Sequence, residues 1–186
     1  CGENFKLEVI NSTLMFGGMA GTMFNGSILP TTLNATINLK NITANGYVGG
    51  LFGETDRGVD FVQEKYGFKL SGAIVATSNN GELYVGGLVG KTSSGVSKSI
   101  NSISVSANGN KSYAGGFIGY AENNLTISEC YNDGTIAGTY AGGFVGCVEN
   151  TTRIAIENSY NIGSLSGTQS SAFVGDGNAN LHAVYS

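Results

Sequence analysis

Short runs of alternating apolar and polar residues carry most of this chain. Leu125 and Ile127 alternate with Thr126 and Ser128, and Ile154 and Ile156 alternate with Ala155 and Glu157. A period of two puts one set of side chains inside and the other outside, which is strand patterning and not helix patterning. Between these runs stand Asn-Asp-Gly and other Gly-rich stretches that read as corners.

One phrase, Gly-Gly-apolar-apolar-Gly, returns along the chain. Its copies are Gly17 to Gly21, Gly49 to Gly53, Gly86 to Gly90, Gly115 to Gly119 and Gly142 to Gly146, with a degenerate sixth, Ser171-Ala172-Phe173-Val174-Gly175. The final glycines fall at 21, 53, 90, 119, 146 and 175, so successive spacings are 32, 37, 29, 27 and 29 residues. A period of roughly thirty that drifts by insertion belongs to a solenoid. Between the phrases, Tyr131-Asn132-Asp133-Gly134 aligns with Tyr160-Asn161-Ile162-Gly163. This predicts a tyrosine stack and an asparagine amide ladder at one corner.

A repeat this short cannot bury its apolar face alone, so the coils must stack with ladder hydrogen bonds between them. The expected fold is all-β: a parallel β-helix, or β-solenoid, of five to six coils with three short strands each, covering residues 1–186 as one domain. Strand A lies at the glycine phrase, strand B at Ile-x-Ile and strand C at Thr-Ile-Ala or Ser-Leu-Ser. The general preference of parallel crossovers makes the solenoid right-handed. The flanking glycines serve close backbone approach at corners.

The phrase Tyr84-Val85-Gly86-Gly87-Leu88-Val89-Gly90, followed by a Tyr-Asn-x-Gly corner, resembles the GLUG motif of bacterial and protist surface proteins, and the likeness covers most of the chain. More distantly it is similar to the Gly-Gly-Ala-Ile repeat of chlamydial polymorphic membrane proteins, whose companion Phe-x-x-Asn element is not visible here. The resemblance implies a secreted or cell-surface β-solenoid, adhesin-like, with no catalytic residues to carry over.

Composition narrows the function classes. Charged residues are 12% of the chain and the net charge is -4, with nine Lys and Arg scattered. No basic stripe exists for phosphate neutralisation, so nucleic acid is not an expected partner. No apolar run approaches the ~20 residues of a membrane span. The single His182 and three cysteines without a Cys-x-x-Cys pair give neither a catalytic triad nor zinc spacing, and no cofactor, metal or catalytic residue is expected.

Three sets of residues remain as candidates. The segment 54–65 lengthens the second coil to 37 residues and carries Asp56, Arg57, Asp60 and Glu64. It reads either as a corner loop in water or as a ligand site for a carbohydrate-binding or polysaccharide-processing β-helix. Seven Asn-x-Ser/Thr sequons, at Asn11, Asn25, Asn34, Asn41, Asn110, Asn124 and Asn150, are N-glycosylation candidates if the source is eukaryotic. Cys130 and Cys147 form either a disulfide between adjacent coils or a pair of buried free thiols. Cys1 is then left to pair between molecules, or to carry a lipid if it is a natural N-terminus.

Phe5 to Val9 falls in a strand C slot and Leu181 to Tyr185 in a strand B slot, and neither end carries a polar cap. That pattern predicts either a longer repeat protein or head-to-tail docking of copies into a filament. The reading as a whole is a non-enzymatic structural or adhesive module, extracellular or at the cell surface, whose partners are copies of itself or host or cell-surface glycans or proteins.

Overall fold

The computed structural model describes residues 13–62 and 66–186. Every regular element within them is a β-strand, and the strands stack in parallel into a solenoid. Each coil visits the sheets in a fixed order. The first sheet is built from Leu14–Gly17, Gly46–Gly49, Leu83–Gly86, Ser112–Gly115, Tyr140–Gly142 and Gln169–Ser171. The second follows it across the glycine phrase and runs from Ala20–Ile28 and Phe52–Phe61 through Val89–Thr92, Ile118–Ala121 and Val145–Val148 to Val174–Asp176.

A third sheet holds Val96–Ser97, Thr126–Ser128, Ile154–Glu157 and Ala179–His182. The fourth begins with three long strands, Thr32–Ile42, Lys69–Ser78 and Ile100–Asn108. It continues in broken strands, Tyr131–Asn132 with Ile136–Ala137 and Tyr160–Asn161 with Leu165–Ser166. The expected β-solenoid is therefore present, with one refinement. Strand A of the sequence reading is two strands that meet at a corner inside the glycine phrase, so the later coils have four sheet positions.

The phrase explains itself at that corner. Its two apolar residues, such as Leu88 with Val89 and Phe117 with Ile118, are fully buried. The ladder runs through the bend: Leu51 N–H donates to Leu88 O, Leu88 N–H to Phe117 O and Phe117 N–H to Phe144 O, at 2.9, 2.9 and 3.0 Å. Tyr120, on the second sheet, packs edge-on against Tyr47 and Tyr84 of the first at 6.2 and 5.0 Å. The bend thus brings the outer surfaces of the two sheets into contact. A Cβ on Gly90 would lie 2.5 Å from Val48 N, closer than any side chain can sit, so the close approach requires glycine.

Inside, the fourth sheet sends Leu70, Ile74 and Ala76 and, one coil on, Ile103, Val105 and Ala107 into the core. Ser102 and Ser104, on either side of Ile103, face out. Phe117, Phe144 and Phe173 stack along the axis at 5.5 and 5.7 Å. Each fully buried Phe contributes roughly 1.5–3 kcal/mol relative to exposure, repeated coil by coil.

Candidate functional site

The described part of the 54–65 segment does not loop into water. Residues 52–61 form a strand paired with Ala20–Ile28, with Asn25 opposite Gly58 and Ile28 opposite Phe61 after a bulge between Met23 and Asn25. Val59 and Phe61 are buried and fix the segment to the core, Phe61 meeting Phe68 edge-on at 5.6 Å. The extra length is sheet because alternate residues from Val59 onward are apolar and find a neighbouring strand to cover. Asp56, Arg57 and Asp60 are exposed on it, and Glu64 lies outside the described residues.

Arg57 Nη2 donates to Asn123 Oδ1 at 3.2 Å, reaching over the third coil, where Ser94 Oγ donates to Val59 O. Asp56 Oδ1 accepts from the Arg57 amide at 2.7 Å. Nearby, Lys91 Nζ bridges Glu54 at 3.0 Å and Glu122 at 3.6 Å and lies 5.5 Å from the Tyr47 ring centroid. Burial works against the Lys91 charge, but the Glu54 and Glu122 carboxylates overcome it and raise its pKa. The Arg57–Asn123 hydrogen bond and the Glu54–Lys91–Glu122 ion pairs tie coils together.

Along the outer side of the first sheet, Tyr47, Tyr84, Tyr113 and Tyr140 stack at 5.2, 4.7 and 4.7 Å. Tyr84 also donates to Glu82 Oε2 at 2.6 Å, and Lys111 Nζ donates to Glu82 Oε1 at 2.9 Å. Cys147 packs into this tyrosine cluster. Cys130 belongs elsewhere: it faces the interior between Ser99 and Ser159 of neighbouring coils and donates to Ser128 O at 3.3 Å. The two cysteines are therefore free buried thiols on opposite sides of the wall, and the disulfide alternative is not formed. Burial pushes each thiol up to about 12.

Sequon asparagines 25, 34, 41, 110, 124 and 150 are all exposed. Asn124 Oδ1 accepts the Arg153 amide at 3.0 Å, and Asn41 holds a left-handed φ of 59°. Asn11 and Cys1 lie outside the described residues. The predicted stacks form as expected: Tyr131 lies 4.5 Å from Tyr160, and Asn132 Nδ2 donates to Asn161 Oδ1 at 2.6 Å.

One surface was not anticipated. A groove of about 560 Å³ runs along the corner between the third and fourth sheets, lined chiefly by Lys98, Glu129, Asn158, Ile100, Tyr131 and Tyr160. Lys98, Glu129 and Asn158 occupy equivalent corner positions in successive coils, and all three have left-handed backbones, with φ of 51°, 54° and 48°. The column was legible only as a spacing, each member standing two residues before Ile100, Tyr131 or Tyr160. Its residue types share nothing else.

Residues 110–137, the fourth coil from the turn before its first-sheet strand to the Ile136–Ala137 strand, match the family model of the GLUG motif. No curated protein and no solved structure shows a significant match to the chain.

Proposed function

We propose that this chain is a non-enzymatic, extracellular structural or adhesive module, a stiff rod that presents repeated faces from a cell surface. The observation that carries the reading is the GLUG-type corner recurring coil after coil, with side-chain ladders running along the axis. Such a stack bends little, because deforming it breaks ladder bonds and packed aromatic columns together. Its outer rows recur about every 4.8 Å, which suits weak contacts multiplied along a polymeric or cell-borne partner. Exposed sequon asparagines fit the same setting in a eukaryotic source.

The test is brief protease treatment of intact source cells followed by immunodetection, together with attachment of protein-coated beads to cultured cells. Loss of the epitope from intact cells and saturable bead attachment support the reading. Full protection from protease, or turnover of a polysaccharide that Asp56→Ala and Asp60→Ala abolish, replaces it with an intracellular or an enzymatic one. Electron microscopy of the native-length polypeptide separates isolated rods from filaments built by head-to-tail docking.

A further inference from the structure

We propose that Tyr131 and Tyr160 are a site of oxidative cross-linking, where a peroxidase-type one-electron oxidant joins the two rings through a carbon–carbon bond and staples successive coils. The inference takes from the extracellular reading only the place where hydrogen peroxide and such an oxidant are met. The chemistry belongs to the pair itself.

The two residues stand directly opposite one another in a parallel ladder, Tyr131 with Tyr160 and Asn132 with Asn161. The buried bond from Asn132 Nδ2 to Asn161 Oδ1, 2.6 Å long, holds that register one residue away. Both tyrosine stems are therefore fixed at the separation of neighbouring strands, about 4.8 Å. The ring centroids lie 4.5 Å apart. Tyr160 is 47% exposed and Tyr131 is half-buried, so a bulky oxidant meets the pair at the surface.

In the reaction each phenol gives up one electron and its hydroxyl proton. The phenoxyl radical left behind shares its unpaired electron with the ring carbons beside the oxygen. Partial burial first, and then the Asp133 carboxylate, raise the Tyr131 hydroxyl, so Tyr131 enters as the protonated phenol with Asp133 beside it to accept the proton. The two radicals couple through one such carbon of each ring, and the hydrogen on each of those carbons moves to its phenol oxygen. Two tyrosines and one hydrogen peroxide thus give one linked pair and two waters.

The longer tyrosine column lacks this geometry. A bond between two rings lies in the plane of both, so rings stacked face to face cannot form it without turning. Tyr84 with Tyr113 and Tyr113 with Tyr140 are 7° and 11° from parallel, whereas Tyr131 and Tyr160 are already inclined by 38°. Tyr84 and Tyr113, each 7% exposed, are enclosed at the corner, and the Tyr84 hydroxyl is tied to Glu82. Tyr160 has open solvent in which to turn. A partner held in contact also outcompetes a tyrosine of another molecule in dilute solution, as oriented intramolecular reactants do.

The experiment is treatment of dilute native-length protein with a haem peroxidase and limiting hydrogen peroxide, read by dityrosine fluorescence, gel migration and peptide mass spectrometry. The expected product is a monomeric chain lighter by two hydrogen atoms, with Tyr131 and Tyr160 in one linked peptide pair. Because the link closes a loop in the unfolded chain, its denaturant midpoint should rise. Tyr131→Phe and Tyr160→Phe keep the ring and remove the phenol. Each, checked for the thermal midpoint of the parent, should lose the linked pair, and Tyr113→Phe should form it as the parent does.

Absence of the 131–160 link, undiminished dityrosine fluorescence in both Phe variants, or a product dominated by covalent dimers, by links to Tyr185 or by links among Tyr84, Tyr113 and Tyr140 overturns the proposal. Such a failure leaves the surface reading standing, because protease treatment of intact cells decides that reading separately.

Discussion

Asn132 Nδ2 donates to Asn161 Oδ1 across 2.6 Å, and Asn132 Oδ1 accepts from Asn101 Nδ2 at the same distance. All three amides are buried, and each lies under the second glycine of its coil's phrase: a Cβ on Gly116 would come within 2.8 Å of Asn132 Oδ1. The glycine corner and the Tyr-Asn corner, distant in sequence, are therefore one structure.

Asn132→Ala strands a buried donor on Asn101, takes from Asn161 Oδ1 the shorter of its two hydrogen bonds, and leaves a cavity. The expected loss is about 2–4 kcal/mol, read as a fall in the denaturant midpoint. Asn132→Asp places a carboxylate against Asn161 Oδ1 and should cost more at neutral pH than at pH 4, where a protonated carboxyl can donate. Equal stability of both variants and the parent would show that the ladder is ornamental to the fold.

Gly116→Ala tests the corner. Its Cβ would overlap the Gly143 carbonyl of the next coil, and backbone atoms cannot move aside as a flexible side chain could. Expression as an insoluble or unfolded chain is expected, whereas a folded variant with a wild-type midpoint would mean that the coils can separate at this corner.

The 54–61 strand makes a paired prediction. Val59 is 3% exposed and Asp60 is exposed, although they are neighbours. Val59→Asp should cost about 3 kcal/mol or more through an unpaired buried charge, and Asp60→Ala should stay within about 0.5 kcal/mol. Similar effects at both positions would return the segment to a loop.

Much of this was legible in the sequence because the solenoid makes each coil repeat its neighbour's environment. Tyr131 over Tyr160 and Asn132 over Asn161 follow from a spacing alone, and so does the Ile127 and Ile156 core row. The division of the glycine phrase by a corner was not legible. Buried apolar residues on both sides of a bend look like one apolar strand when neither periodicity nor a proline marks the turn. The segment at 54–65 misled because charge density suggests water, while Val59 and Phe61 held the opposite information at strand spacing. The groove was hidden because Lys98, Glu129 and Asn158 share a backbone conformation and not a chemistry.

Cys130 shows how such a column tolerates exchange. It occupies the place of Ser99 and Ser159, whose hydroxyls donate to Ser97 O and Glu157 O at 2.7 Å. Cys130→Ser should therefore be within about 1 kcal/mol of the parent. Cys130→Val, which offers no donor to Ser128 O, should be measurably worse in the same denaturation assay.

Alkaline pH should unfold the protein from the tyrosine cluster. Burial pushes the Tyr113 and Tyr120 hydroxyls and the Cys147 thiol up to about 12, and raises Tyr84 further, its hydrogen bond to Glu82 adding to the effect. The unfolded chain releases these protons near the ordinary values of 9.0 for the thiol and 10.0 for the hydroxyls. Between those values and about 12 the folded state binds more protons than the unfolded one, so stability is full below pH 9 and falls as pH rises through that window. With its thiol pushed up by burial, Cys147 stays protonated at pH 9 in the folded protein, so alkylation should be slow until the chain unfolds. The measurement is a series of denaturant midpoints from pH 7 to 11, with tyrosinate absorbance and thiol labelling followed on the same samples. A midpoint that declines above pH 9, with tyrosinate and labelled thiol appearing together at unfolding, is the expected result. A flat midpoint, with tyrosines and Cys147 titrating as free side chains in the folded protein, would mean that the first and second sheets do not close over the cluster.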